Sequence, residues 1–536
     1  MSYSWVGPPT VFNGTNEKMG GDSNVENVNQ WFSPGDQSYI IVSSAMVLLM
    51  PPGLGFLYSG LARRKSALSM IWACLASFSV VTFQWYFWGY SLAFSSTATN
   101  GFIGNLQHFG LQNTLAVPSP GSPLIPELLY AFYQMMFCAV TAAITIGAIA
   151  ERGRLVPAMV WIFFWATLVY CPLACWVWNI NGWAYGYGVL DYAGGGPVEI
   201  GSGMSALAYS MVLGRRQEKM MLNFRPHNVS LITLGTVLLW FGWLGFNGGS
   251  AFGANLRAVM ACWNTNLTAM FAAATWCILD WRLAKKWSMV GWCSGTISGL
   301  VAATPASGFI PPWASVLLGI VTGVVANFST KIKYLIKIDD TMDVFAEHGI
   351  AGIVGLIFNA LFGASYIIGL DGVNTASTSL PGGWLNRNYK QLYIQIAYIV
   401  AASAYAFVMS AILAYIINYI PGLHLRASEE AELMGMDDDQ LGEFAYDYVE
   451  VRRDYLAWTP AKQEPLGEGG SHDLSAGARH GIQEHSSMAD GGSPNGITTT
   501  AGVDPGEKHT GIGGDRHGIA AEKAAHDPTT TTTTTT

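Results

Sequence analysis

Long apolar stretches, each second one ending in a cluster of basic residues, constrain this chain more than any other feature of its sequence. A helix needs about 20 mostly apolar residues to cross the roughly 30 Å hydrocarbon core of a bilayer at 1.5 Å per residue. Eleven candidate spans meet or approach that requirement: 38–61, 66–94, 127–150, 155–177, 197–213, 228–250, 257–279, 287–304, 312–330, 343–366 and 391–419. Three are short or interrupted: 197–213 holds Glu199, 287–304 is stopped by Pro305 just beyond its end, and 343–366 holds Glu347 and His348.

The basic residues test that count independently, because loops rich in Lys and Arg stay on the cytoplasmic side. Arg63, Arg64 and Lys65 follow the first span, Arg152 and Arg154 the third, and Arg215, Arg216, Lys219 and Arg225 the fifth. Arg282, Lys285 and Lys286 follow the seventh, Lys331, Lys333 and Lys337 the ninth, and Arg426 the eleventh. Loops after the even spans hold Arg257, Arg387 and Lys390, and 95–126 carries no acidic or basic residue beyond His108. A missed or surplus span would put this alternation out of phase. The reading is therefore an all-α polytopic membrane protein with eleven transmembrane helices, its N-terminus outside and its C-terminus inside.

Composition agrees: 12% of residues are charged, against roughly 25% in soluble domains. The apolar excess lies within 38–420, the membrane domain, preceded by a polar extracellular segment 1–37 and followed by a cytoplasmic segment 421–458 and a tail 459–536. Residues 1–37 show no basic region followed by a short apolar core, so no ordinary cleavable signal is expected. Asn13-Gly14-Thr15 is a possible glycosylation site if the N-terminus is outside. The tail, rich in Gly, Ser, Thr, His and Pro, cannot bury enough surface to order itself. Its histidines (His472, His480, His485, His509, His517, His526) are scattered and read as solvated. The seven cysteines sit mostly within apolar stretches without metal-ligand spacing, and no basic patch for nucleic acid is present. No metal, cofactor, nucleic-acid partner or catalytic residue is expected.

The sequence also echoes itself. Asp191 is followed eight residues later by Glu199, and Asp340 eight residues later by His348, each pair straddling a membrane entry. Leu54-Gly55-Phe56-Leu57-Tyr58-Ser59-Gly60 in the first span resembles Leu244-Gly245-Phe246-Asn247-Gly248-Gly249-Ser250 in the sixth. Spans one to five then match spans six to ten. Because five is odd, the halves enter from opposite sides, an inverted repeat that sets a substrate path at its interface. Gly-rich apolar segments also resemble one another by chance. Ionisable groups inside a membrane usually face a pore or a partner, and of the ten histidines His348 alone lies inside a predicted span. A packing role for it stays open beside a pore role. Asp343 and Glu347, at the span entry, read as solvated or helix-capping groups.

Three segments, Leu190-Asp191-Tyr192-Ala193-Gly194-Gly195, Gly245 to Ser250 and Asp340-Thr341-Met342-Asp343-Val344-Phe345-Ala346-Glu347-His348-Gly349, closely resemble motifs of the ammonium transporter/methylammonium permease/Rhesus family, as does Ala150-Glu151-Arg152. The resemblance runs from about residue 38 to about 450. It implies a homotrimer in the plasma membrane, each subunit with its own narrow apolar pore, carrying ammonium and methylammonium. It further implies an external ammonium site at Phe137, Trp178, Phe246 and Ser250, with Asp191 and Asp340 in supporting positions. Aromatic faces attract cations, Trp most strongly, and a Ser hydroxyl can accept from N–H. Two facing histidines usually line the family's deep pore; here His348 is the second and Glu199 replaces the first, as in a fungal branch.

Ammonium and potassium are similar in size and charge, so coordination separates them poorly, whereas deprotonation separates them completely. Neutral ammonia can then cross an apolar pore where an intact ion faces a large desolvation cost. The expectation is a proton that travels separately through the Glu199/His348 pair. An ammonium sensor acting through the cytoplasmic segment is the principal alternative. A membrane hydrolase lacks an accompanying nucleophile or metal set, and passive gas conduction would not saturate. The acidic stretch Ser428 to Tyr448 beside basic loops is expected to be partly helical and regulatory, against the plainer reading of a solvated acidic face.

Overall fold

Each of the eleven predicted spans is a helix in the computed structural model, which describes residues 23–24, 27–221, 225–373 and 382–446. We label them α1 (Pro34–Leu61), α2 (Arg64–Phe94), α3 (Glu127–Ile149), α4 (155–178), α5 (195–213), α6 (Val229–Gly249), α7 (Leu256–Ala284), α8 (Met289–Ala306), α9 (Pro312–Ile336), α10 (Phe345–Phe362) and α11 (Gln391–Tyr419). Among the described residues there is no β-sheet, only isolated bridges such as Gly153↔Arg426. The glycosylation candidate Asn13, the tail 459–536 with its histidines, and parts of the segments 1–37 and 421–458 lie outside the described residues.

Local chemistry starts several of these helices. Ser33 caps α1 with Pro34 in its first turn, Asn228 caps α6, Asn255 caps α7 and Ser288 caps α8, each side chain accepting a first-turn N–H. Eight helices, α1 to α4, α6 and α9 to α11, are long and apolar enough to cross a membrane unaided. Of the other three, α5 and α8 are interior helices buried on nearly every side, so they can carry Ser, Thr, Gly and a glutamate that lipid would not accept. The third, α7, carries Arg257 at its outer end and Asp280 and Arg282 at its inner end.

Boundaries differ from the expectation in two places. Pro305 does not stop α8: the helix runs through it to Ala306, and the carbonyls of Thr304 and Pro305 accept the N–H groups of Ala193 and Tyr192 at 3.1 Å each. A proline inside a final turn is tolerated because neighbouring segments use the carbonyl groups that the turn leaves over. α1 is broken at Leu49 ahead of Pro51 and Pro52, which have no N–H to continue the ladder.

The sequence echo has a counterpart in contact. Gly53, Gly60, Gly235, Gly242 and Gly245 lie where α1 and α6 cross, and a Cβ at any of them would press into the other helix. α5 and α10 cross just as closely. A side chain on Gly203 would fall on the backbone of Gly349, and one on Gly352 would meet Glu199 Cβ.

The basic loops converge at one end, as the positive-inside alternation requires. Arg216 pairs with Glu151 at 2.5 Å and with Asp339 at 2.8 Å, and Glu151 also holds Arg63 at 3.2 Å. Arg152 donates to the Asp339 carbonyl at 2.7 Å and to Thr341 at 2.9 Å. Burial brings the Arg152 guanidinium down to about 10. The chain after α11 folds back onto this cluster in two short helices, Glu429–Met434 and Met436–Leu441. Asp437 accepts the N–H groups of Ala67, Leu68 and Ser69 at 2.7–3.0 Å, capping α2 from a distant part of the chain. Gln440 likewise accepts the Leu155 N–H at the start of α4, 2.9 Å away, and Arg426 pairs with Glu432 at 2.5 Å. The acidic stretch is thus partly helical and partly buried, Glu432 and Asp437 completely so, rather than a wholly solvated face.

Burial pushes the Asp339 carboxyl up, but the hydrogen bonds and charge of Arg216 outweigh it and leave the group well below the usual carboxylate range. A carboxylate depressed in the fold stabilises above its unfolded value, about 3.9, and loses that contribution as pH falls. Asp339→Asn is therefore expected to cost about 3–5 kcal/mol at neutral pH by leaving Arg216 under-compensated. Thermal unfolding of the purified protein should show this as a lowered midpoint, and the gap to the parent should narrow as pH falls below about 4.

Candidate functional site

The two motifs containing Asp191 and Asp340 build matching helix starts. The Asp191 carboxylate accepts the N–H groups of Gly194, Gly195 and Gly196 at 3.0, 2.6 and 2.8 Å, and the Tyr398 hydroxyl donates to it at 3.3 Å. Gly194 has φ 115°, a conformation that a residue with a Cβ rarely adopts. Across the repeat, Asp340 accepts the Phe345 N–H at 2.8 Å. Each capped start then opens into a π-helical turn, Gly195–Ile200 in α5 and Phe345–Ile350 in α10. Such turns widen a helix locally and recur at functional positions. Glu199 lies in the first and His348 in the second.

These turns bring Glu199 and His348 together at the α5–α10 crossing. His348 Nδ1 lies 2.9 Å from Glu199 Oε2, and the pair is almost wholly buried, with side-chain exposures of 4% and 0%. Because Glu199 engages Nδ1, exchange with anything passing by falls to Nε2.

From this pair a line of rings leads outward. Trp243 of α6 stacks over the His348 imidazole, centroids 6.5 Å apart at 26°, and its Nε1 donates to Thr304 at 2.9 Å. Phe246, one turn along α6, follows at 5.8 Å from Trp243. It stacks on Phe137 of α3 with centroids 3.8 Å apart at 25°, and Phe137 meets Trp178 of α4 edge to face at 6.0 Å. Two rings in face-to-face contact leave no space for an ion between them, so passage here needs the rings to part.

Trp178 is half-buried and closes the outer end of the line, with Phe94 stacked against it at 6.5 Å. Ser250 is one turn beyond Phe246, and its hydroxyl donates to the Phe246 carbonyl at 2.9 Å. With its hydrogen committed, the Ser250 oxygen keeps lone pairs that can accept from a donor. Tyr133, 2.6 Å from the same carbonyl and 3.5 Å from Ser250 Oγ, holds this corner in place.

The structure thus joins the residues singled out in the sequence, Phe137, Trp178, Phe246, Ser250, Glu199 and His348, in one continuous line, with Asp191 and Asp340 as the caps beneath its two central groups. Sequence reasoning missed Trp243, Thr304 and Tyr133. Trp243 had one usable signal: it lies three residues before Phe246, on the same helical face. Thr304 and Tyr133 had none, because their partners come from other helices. Glu347 contradicts the expectation of a solvated or capping group, since it is buried. Among the described residues, no cluster of three or more His, Cys, Asp or Glu side chains fits a metal ion.

Comparison with known proteins matches residues 38–446 to the sequence profile described as the Ammonium Transporter Family. The chain is 57% identical over 432 residues to ammonium transporter MEP3 of Saccharomyces cerevisiae, covering 80% of this chain and 87% of that protein. It is 58% identical over 422 residues to ammonium transporter MEP1 of the same yeast, covering 78% and 85%. The crystal structure of Candida albicans Mep2 superposes with a TM-score of 0.74 at 45% identity, covering 81% of this chain and 95% of that one.

Proposed function

The chain belongs to the ammonium transporter family and carries ammonium across a membrane that it spans many times, and from that premise we propose that it captures the ion outside, splits it into ammonia and a proton, and passes the two separately. The observation that carries this reading is the unbroken line from Trp178 through Phe137, Phe246 and Trp243 to the buried Glu199–His348 pair. Its outer end offers what a cation needs, and its interior offers what a cation cannot use.

At the mouth, the faces of Trp178 and the phenylalanines attract ammonium by an interaction worth up to about 2 kcal/mol where water is thinned out, and the Ser250 oxygen accepts one N–H. Beyond the stacked Phe137 and Phe246, no charged partner among the described residues lines the path until the central pair. An ion entering that stretch would shed its water without replacement. Ammonia pays a far smaller penalty, and potassium, which has no proton to lose, is excluded. The proton crosses by water and the Glu199–His348 pair, so net uptake is electrogenic. The protein works as a homotrimer in the plasma membrane with a pore in each subunit, and methylammonium shares the path. The segment 421–458 regulates it by clamping the cytoplasmic ends of α2 and α4 through Asp437 and Gln440.

The decisive experiment compares current with labelled methylammonium uptake for purified protein in liposomes; uptake with no current would remove the separate proton route. In the same assay Glu199→Ala and His348→Ala should each disturb transport strongly, by block or by cation leak, since either strands its partner at a cost of about 3–5 kcal/mol. Glu199→His should retain ammonium uptake with a displaced pH profile, and an unmoved profile would take the carboxyl off the proton route. Trp178→Leu should weaken capture, by up to about 30-fold for the loss of about 2 kcal/mol, and admit alkali cations more readily; unchanged affinity and selectivity would exclude Trp178. Truncation after Leu425 should lower flux per molecule at the surface while leaving trimers assembled, and equal flux would count against regulation.

A further inference from the structure

Glu347 is a buried carboxyl that nothing in the path described so far employs. It directly precedes His348 on the π-helical turn Phe345–Ile350 and is 8% exposed. Its N–H donates to the Asp343 carbonyl at 2.9 Å, which sets Asp343 one turn closer to the cytoplasmic end. The groups within electrostatic range of its carboxyl come from three neighbouring helices and from its own approach. Ser294 of α8 supplies a hydrogen-bonding hydroxyl, and Cys293 of α8, Tyr58 of α1 and Lys333 of α9 act on it through space. Asp340 and Asp343 complete the set. From α5, Glu199 reaches this turn through its contact with His348.

Lys333 is the cation of this group, and it is already engaged: its Nζ lies 2.7 Å from Asp343 Oδ1. Among the described residues, Glu347 therefore has the Ser294 hydroxyl beside it and no ion pair of its own. The Glu199–His348 pair is shut from water, with side chains 0% and 4% exposed, whereas the Lys333–Asp343 pair is partly open, at 17% and 29%. Glu347 lies in the chain between Asp343 and His348 and is itself buried.

We propose that Glu347 is the proton-relay residue through which the proton leaves the Glu199–His348 pair for the cytoplasm. The proposal rests on the separate proton route argued above. In the relay, the N–H bond at His348 Nε2 breaks as its proton passes to a water, and that water gives a proton to a carboxylate oxygen of Glu347. The new O–H bond then breaks to a second water beside Lys333 and Asp343, which returns Glu347 to its carboxylate form. No electrons change hands, and His348 is left ready to take the next proton. The carboxyl is suited to the task because it is buried and, among the described residues, makes no salt bridge that would hold it charged.

The test uses the full chain, purified and reconstituted in liposomes, with ammonium-evoked current and methylammonium uptake recorded from about pH 5 to about pH 8. Glu347→Gln keeps the size and the hydrogen bond to Ser294 but cannot relay a proton. It should lower the current tenfold or more and flatten its pH dependence, whereas Glu347→Asp should recover most of the current with a displaced profile. Ser294→Ala, which removes only the hydroxyl, should keep the parental profile. A Glu347→Gln protein with parental current and pH profile overturns the proposal. So does a Ser294→Ala protein that loses current as Glu347→Gln does, because that pattern marks a packing contact. Should the parent itself take up methylammonium without current, it is the separate proton route that falls, and the two failures are thereby told apart.

Discussion

The close crossing of α5 and α10 is the contact on which the rest of this structure depends. Two buried ionisable groups inside a membrane are costly unless each satisfies the other, and a hydrogen bond between them demands that their backbones approach closely. Gly203, Gly349 and Gly352 make that approach possible, since a Cβ at any of the three would press on the facing helix or on Glu199 itself. The π-helical turns on each side then direct Glu199 and His348 into the same space. Without the crossing, each group would sit unpaired in an apolar interior.

The caps under these turns solve a related problem. A helix that begins inside a membrane exposes N–H groups with no water to receive them. Asp191 takes three of them at once and Asp340 takes one, so the two half-helices can start in the interior without loss. The same device operates at the cytoplasmic surface, where Asp437 receives three N–H groups at the start of α2 although it is 368 to 370 residues away in the chain. Interior polar groups and surface clamps are thus built from one interaction, a carboxylate set against the open end of a helix.

The arrangement of rings follows from the crossing as well. Trp243 covers His348 and is itself fixed by Thr304, so the central pair is roofed by an apolar face rather than by water. Phe137 and Phe246 lie outward of that roof and keep bulk solvent from it. On the proposed reading, an apolar lining leading to one buried ionisable pair is the condition under which a neutral molecule and a proton can be told apart from an intact ion.

The number of helices and their orientation were legible along the chain, because hydrophobic length and the positions of Lys and Arg are properties of each segment taken alone. The sequence also singled out Glu199, His348 and the two aspartates, because an ionisable residue inside an apolar run is anomalous wherever the chain folds. The motifs drew in Phe137, Trp178, Phe246 and Ser250 through resemblance, not through anything that composition or spacing showed. The remaining features came from contacts between distant parts of the chain. Whether a glutamate near a span entry is solvated or buried depends on which helices cover it, and Glu347 is buried, with the Ser294 hydroxyl of another helix beside it. Whether a proline ends a helix depends on what uses its neighbours' carbonyl groups, which here is the segment after Asp191. The pairing of Glu199 with His348 across 149 residues, and of Asp437 with the start of α2, needed the fold because hydrogen bonds act over about 3 Å in space and carry no trace of separation along the chain.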